Sequence, residues 1–257
     1  MFRKFVLFSV LFWSTEVYAE SISQKMDVEI GVFDAAEITL DYEERDGRYD
    51  IRAMVKTANL FDTLYPFSGQ YQSIGKVLKQ CGILPQQYIT SNKTRSHKRR
   101  KRLFYDDEGK AYKSVSAKDE KEKVRQITNV PQNADAADLQ AVFAELIHNF
   151  RQKKSCALSR EVYDGKKHYK VIVRDVQRAN RLFEGLNRTE NAYQCSIYIE
   201  NLKNNNDNIL WDVSADKPIN VWIGYDEKAK MPYLLEIKID STPLGELKVS
   251  PKTLELK

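Results

Sequence analysis

A mainly β chain, forming one large antiparallel sheet with a single principal helix packed on or inside its curve, is the fold that the sequence predicts. Three observations lead there. Apolar residues alternate with polar ones through most of the chain, the period of a strand with one buried face. Turn signals such as Asp46-Gly47 and Asp164-Gly165 separate the alternating runs at hairpin distance. One stretch breaks the alternation. From near Asp135 through Leu139, Val142, Phe143, Leu146, Ile147 and Phe150 the apolar spacing is three and four, which puts these side chains on one helical stripe. An amphipathic helix of about four turns cannot bury its own stripe, so it must lie against the sheet.

In that reading Asp135 caps the first turn, with Asp138 three residues on. Arg151, Lys153 and Lys154 place positive charge at the negative end of the helix dipole. The stripe is the expected helix core, and Glu145 and Asn149 fall nearer to solvent.

The chain opens with Arg3 and Lys4, then an apolar run from Phe5 to Trp13, then Val17-Tyr18-Ala19. A positive segment, a short hydrophobic core and small residues before a break are the parts of a secretory signal peptide, cut after Ala19. The apolar run is too short to cross about 30 Å of hydrocarbon as a helix, and no later stretch approaches that length. The expected organisation is residues 1–19 as signal peptide and 20–257 as a single β-rich domain exported to the periplasm. Removal of Arg3, Lys4 and Glu16 lowers the formal charge from +5 to +4, too mild an excess for a nucleic-acid binder.

The mature chain begins with a meander. Met26, Val28, Ile30 and Val32 alternate, then Ala36, Ile38, Leu40 and Tyr42, then Tyr49, Ile51, Ala53 and Val55 beyond the Asp46-Gly47 turn. Asn59 to Leu64 reads as a short helical turn ending before Pro66. Phe67, Gly69, Tyr71 and Ser73 start a fourth strand, with Gly69 and Gly75 as bend or bulge points suited to a strongly curved sheet. Wetter strands follow around Gln86–Asn92 and Leu103–Tyr105, and Ala117 to Lys123 reads as a mixed-charge segment. About eight strands are expected before the helix. Behind it come Leu158–Tyr163 and Tyr169–Val173, an irregular excursion over Ala179–Thr189, and the strand through Cys195. An Asn-rich loop over Asn201–Asn208 precedes three closing strands through Trp222, Tyr233–Ile239 and Glu246–Val249.

An oxidising compartment changes how Cys81, Cys156 and Cys195 read. Cys156 and Cys195 sit in strands flanking one loop, and a bridge between them could be worth about 3–4 kcal/mol. Cys81, beside Gly82 in a turn, is the odd one out. Three buried thiols behaving as small apolar groups are the alternative. Without a Cys-x-x-Cys there is no signature of a disulfide oxidoreductase.

Several phrases together resemble a known family. They are Leu60-Phe61-Asp62-Thr63-Leu64-Tyr65-Pro66-Phe67 with Gly69, the basic strand leading to Phe104-Tyr105-Asp106, and the helix from Asp138-Leu139. Val162 to Tyr169, Trp222, Pro232 and Thr242-Pro243-Leu244-Gly245 complete the set. In this order they are similar to the bacterial exported domain-of-unknown-function family 3108. The resemblance covers about 26 to 250 and implies a periplasmic or surface-exposed β-rich protein shaped as an open, curved sheet, a broken barrel or β-spiral. It implies no catalytic residues. The Cys156–Cys195 pair and the longer Asn-rich loop depart from the family pattern.

No catalytic constellation emerges. His97, His148 and His168 fall in no ligand spacing, and nucleophile-elbow, β-lactamase-type and phosphate-loop motifs are missing. The expectation is a protein without catalytic residues, metal or cofactor. One feature stands out: Lys93, Arg95, Lys98, Arg99, Arg100, Lys101 and Arg102 crowd ten positions. Such a run can contact a polyanion, which in an envelope means anionic lipid or lipopolysaccharide. It also suits an edge strand, or a hairpin protruding into solvent, kept soluble by charge. The expected function is non-catalytic support of cell-envelope integrity through anionic components or an envelope protein. The alternative is a carrier or sensor of a lipid or lipoprotein held in the concave face. The two differ in whether that face is filled. Oligomeric state is not legible.

Overall fold

A computed structural model describes residues 21–78, 82–128, 138–163, 167–183, 186–202, 217–242 and 244–256. The expected signal peptide, Cys81, Asp135, the Asp164-Gly165 turn and the Asn-rich loop beyond Leu202 lie outside these residues. Period-two alternation produces a meander in the first half: β1 (Ser21–Ile30), β2 (Phe33–Arg45), β3 (Arg48–Thr57) and β4 (Phe67–Leu78). A short helix, α1 (Asn59–Leu64), sits between β3 and β4, where the sequence places it. Then come β5 (Gly82–Thr94), β6 (Lys98–Tyr105), β7 (Ala111–Lys118) and β8 (Lys121–Gln126), eight strands before the principal helix α2 (Leu139–Lys153). Behind it are β9 (Leu158–Tyr163), β10 (His168–Phe183) and β11 (Arg188–Asn201), then β12 (Ile219–Asp226), β13 (Met231–Thr242) and β14 (Gly245–Leu256).

All fourteen strands belong to one antiparallel sheet, in the order β8-β7-β6-β5-β4-β3-β2-β1-β14-β13-β12-β11-β10-β9. The first and last described strands meet in the middle of the sheet, where β1 pairs with β14 from Ile22 opposite Leu256 to Ile30 opposite Leu247. The outermost strands, β8 and β9, do not pair with each other, so the sheet is not closed into a barrel. It is nevertheless strongly curled. One helix touches β3, β4 and β5 from one half and β9 and β13 from the other, which requires the sheet to wrap around it. Curvature is helped where the register of β4 on β5 shifts between Ile74 and Gly75. A Cβ at Gly75 would fall 2.2 Å from the Leu84 carbonyl oxygen, so only glycine fits.

The helix begins at Leu139 and not near Asp135. Its N-cap is Asp138, whose Oδ1 accepts a 2.8 Å hydrogen bond from the Ala141 N–H. It ends at Lys154 in the left-handed region, with the Lys154 N–H returning to the Phe150 carbonyl. Val142, Leu146 and Phe150 pack on Val162, Val171, Cys195 and Ile223, with Leu139 half-buried beside them. Phe143 and Ile147 are half-buried against a second cluster that includes Tyr42, Tyr49, Ile51 and Met231. Ala141 and Ala144 are fully covered as well. The sheet therefore buries more of the helix than one stripe, and Glu145, expected near solvent, is only 2% exposed.

Three further expectations need correction. In the excursion over Ala179–Thr189, residues 179–183 and 188–189 are paired strand, the far end of β10 on β11, whose ladder runs from Tyr169 opposite Asn201 to Phe183 opposite Arg188 with one register shift between Asp175 and Gln177. The segment from Ala117 to Lys123 is the tip of the β7–β8 hairpin, turned by Asp119 and Glu120 at positive φ. The basic run is not an edge strand but a hairpin, from Lys93 at the end of β5 through a turn to β6, which is third from the edge.

β13 and β14 pair only between Ile237 and Thr242. Below that point they part, and the buried Gln24 of β1 spans the seam. Its amide nitrogen donates to the Leu234 carbonyl at 2.9 Å and its oxygen accepts from the Leu234 N–H at 2.8 Å. A primary amide thus stands in for a missing strand partner at a register shift between Trp222 and Ile223 of β12 on β13.

Candidate functional site

Polar groups on α2 clamp it inside the sheet at three levels. At its start, the buried Asp138 Oδ2 accepts from the Ser73 hydroxyl on β4 at 3.0 Å, and the Tyr49 hydroxyl on β3 lies 3.0 Å from the same Ser73 oxygen. In its middle, Glu145 takes a two-pronged contact from Arg160 of β9, Nε to Oε2 at 2.8 Å and Nη2 to Oε1 at 2.5 Å. Near its end, Glu44 of β2 accepts from the Arg151 guanidinium at 2.9 Å and the Tyr42 hydroxyl at 2.7 Å, and lies 3.2 Å from His148 Nδ1. Burial alone would raise the Glu44 carboxyl. Hydrogen bonds with His148 and Tyr42 and the Arg151 charge outweigh it, and the net shift is downward.

Asp138 goes the other way. Complete burial pushes its carboxyl up to about 7, against the lowering effect of hydrogen bonds from the Ala141 N–H and Ser73. Between the unfolded value near 3.9 and about 7 the folded chain holds a proton that the unfolded chain has lost. Stability from this site is fully present below the unfolded value and is lost as pH rises through about 7. Asp138→Asn removes that slope. Its stability relative to wild type should rise with pH up to about 7, by at most about 1.4 kcal/mol per pH unit. Urea melts at several pH values measure this, and a constant difference would contradict it.

Directly after the helix, Cys156 is bridged to Cys195 of β11, 39 residues away. Asp175 of β10 fixes the approach: its Oδ1 accepts from the Cys156 N–H at 2.8 Å and its Oδ2 from the Ser155 hydroxyl at 2.5 Å. Cys156, Asp175 and Cys195 are close enough together to hold a metal ion, but the disulfide uses both sulfurs. The histidines are dispersed among carboxylates: His97 by Asp119, His148 by Glu44 and His168 by Glu161.

The basic run occupies the sheet beyond the helix. Leu103 and Tyr105 are buried, which identifies the inner, concave face of β6. By alternation Arg99 and Lys101 share that face, and Lys98, Arg100 and Arg102 point outward. Lys93 pairs with Lys98 on the outer face. Arg95, at the hairpin tip, donates to the Thr63 carbonyl of α1 at 2.7 Å. The neighbouring tip is stitched on by Asp119, which accepts from the Lys98 N–H at 2.8 Å and lies 2.9 Å from His97 Nδ1. The Lys98 N–H and His97 together hold the Asp119 carboxyl below its ordinary value. The structure thus divides the seven residues between two faces and a turn.

Register then adds cations that reading along the chain had overlooked. Lys118 stands opposite Arg99, and Lys121 opposite Lys118. Lys123 follows behind Ser116 in the Lys101 row, and Arg125 behind Ser114 in the Leu103 row. The signal was present in the period-two spacing of Lys121, Lys123 and Arg125. It was obscured because Glu120 before the run and Glu122 within it made the segment look evenly mixed.

Among the described residues no helix is long and apolar enough to cross a membrane. No curated protein matches the chain. Among solved structures it is similar to a β-barrel-like protein of Brucella abortus, described as domain of unknown function DUF1849. That likeness has a TM-score of 0.51 at 10% identity, covering 94% of this chain and 99% of that one. At such low identity it speaks to the fold alone. The sequence model of the family described as "Protein of unknown function (DUF3108)" matches residues 25–248, and the chain belongs to that family.

Proposed function

We propose that this is an exported, non-catalytic protein of the periplasm, made by cleavage after Ala19, that supports the cell envelope by contacting its anionic components through the β6–β8 arm. The observation that carries the reading is the arm itself. It extends past the helix-filled core, presents Lys or Arg on both faces, and has exposed Lys98, Arg99, Arg100 and Arg102 on β6, its innermost strand. Arg99, Arg100 and Arg102 have no salt-bridge partner among the described residues. Each cation near an anionic surface contributes about 1 kcal/mol of attraction, fading over a Debye length of about 8 Å at physiological salt. Several acting together give weak, salt-sensitive binding.

The concave face favours this reading over a lipid carrier. Val142, Leu146 and Phe150 occupy one side of it and Tyr42, Tyr49 and Phe183 fill the other, where a carrier needs room for an acyl chain. The mature protein should co-sediment with anionic vesicles or lipopolysaccharide at about 50 mM salt. Arg99→Glu, Arg100→Glu and Lys101→Glu together should abolish it with the circular dichroism spectrum unchanged. Wild-type protein that sediments with neither would remove the electrostatic reading, and stoichiometric lipid in mass spectra of the purified protein would restore the carrier.

A further inference from the structure

We propose that the concave face of the β6–β8 arm is a trough for one flexible polymer strand bearing repeated phosphate groups, and that this face, not the outer one, is the anion-recognising surface. The inference rests on the proposed envelope contact and specifies its ligand class and its side.

Pairing sets the cations in rows across the arm. Arg99, Lys118 and Lys121 stand three abreast; Lys101, Ser116 and Lys123 form the next row; Leu103, Ser114 and Arg125 form the third. Adjacent strands are about 4.8 Å apart, and successive same-face residues about 7 Å apart along a strand. The positive plate is therefore about 10 Å wide and two to three rows deep. That matches a single chain with a phosphate every several ångströms. Thr90 and Asn92 of β5 flank it, opposite Lys101 and Arg99. No acidic residue occupies any inward position of these rows.

Such an arrangement opposes folding. Like charges directly opposite across a ladder are destabilising, and here two such pairs, Arg99–Lys118 and Lys118–Lys121, share one row. Arg99, Lys121, Lys123 and Arg125 are exposed and have no salt-bridge partner among the described residues. Asp119 at the hairpin tip attracts Lys118, and the four unpartnered cations beyond it mark a surface whose partner comes from outside. The outer face is different in kind. There Glu122 interrupts the charge opposite Ala117, and Val124, 55% exposed, pairs with Val115. The inward face also ends on the floor of Tyr88, Leu103, Tyr105 and Tyr163, so it curves toward the core. A flat bilayer meets an outer face; a thin strand can lie in a trough.

Two matched variants separate the faces: Lys121→Glu with Lys123→Glu and Arg125→Glu inside, and Lys98→Glu with Arg100→Glu and Arg102→Glu outside. The probes are inorganic polyphosphate and vesicles containing anionic phospholipid, measured by titration of the mature protein at about 50 mM salt. Polyphosphate affinity should fall at least about tenfold in the inner variant and stay within about threefold in the outer one. The corresponding glutamine triple on β8 serves if the charge reversal unfolds, with thermal melts as the check. Equal losses in both variants would overturn the trough and leave the basic arm as a non-selective anion surface. Binding to vesicles alone, lost only in the outer variant, would also overturn it while the envelope reading stands. Binding to neither probe would remove both.

Discussion

Replacing Arg160 with methionine should destabilise the protein by about 3–5 kcal/mol, although Arg160 lies on an end strand of the sheet. The reason is its partner. The Glu145 side chain is 3% exposed and rests against Gly82, where a Cβ would come within 2.8 Å of its Oε1. Without the guanidinium the carboxylate is left buried and unpaired, which costs far more than the contact itself contributes. Glu145→Gln in the Arg160→Met background should recover much of the loss, because the charge is removed with its partner. A double-mutant cycle in urea measures this coupling. A cost for Arg160→Met below about 1 kcal/mol would mean that water reaches Glu145.

Phe150→Ala should cost a comparable amount, about 3–5 kcal/mol. The ring is completely buried and meets Tyr193 edge-to-face at 5.0 Å between centroids, with Tyr225 at 6.2 Å. The Cys156–Cys195 bridge lies in the same cluster and holds the surrounding strands in place, so the vacated space cannot collapse easily. Phe143→Ala should cost less, since Phe143 is only half-buried between the two clusters. Equal urea midpoints for the two variants would mean that the helix does not seat as described.

Local signals were legible in the sequence because they are local. Alternation in Met26–Ile30, the Asp46-Gly47 turn and the three-four spacing of α2 each depend on neighbours a few residues away, whereas Val32, expected to continue the first strand, is an exposed residue of the β1–β2 turn. Even the short α1 ending before Pro66 follows from proline's own geometry. The fate of Glu145 depends on Arg160, Gly82 and a sheet that closes on the helix from β3–β5 and from β9 and β13. Amphipathicity describes a helix lying on a surface; it cannot describe one that is wrapped. Of the basic site, the run from Lys93 to Arg102 was plain, because density needs no fold. Its division into faces needed the parity fixed by Leu103, and Lys118 to Arg125 needed the β7–β8 register.

The pairing of β1 with β14 sets an order of events during assembly. Strands β1 to β8 each pair with the next in the chain, so they can zip together as they are made, with short loops to close. The other edge of β1 has no neighbour until the final twelve-residue strand arrives, since its ladder runs to Leu256. Until then a half-sheet carries an open row of backbone donors and acceptors, the kind of edge that other chains capture. β14 is therefore the latch of the whole sheet, and a nascent chain stalled before it would be the form most prone to aggregate.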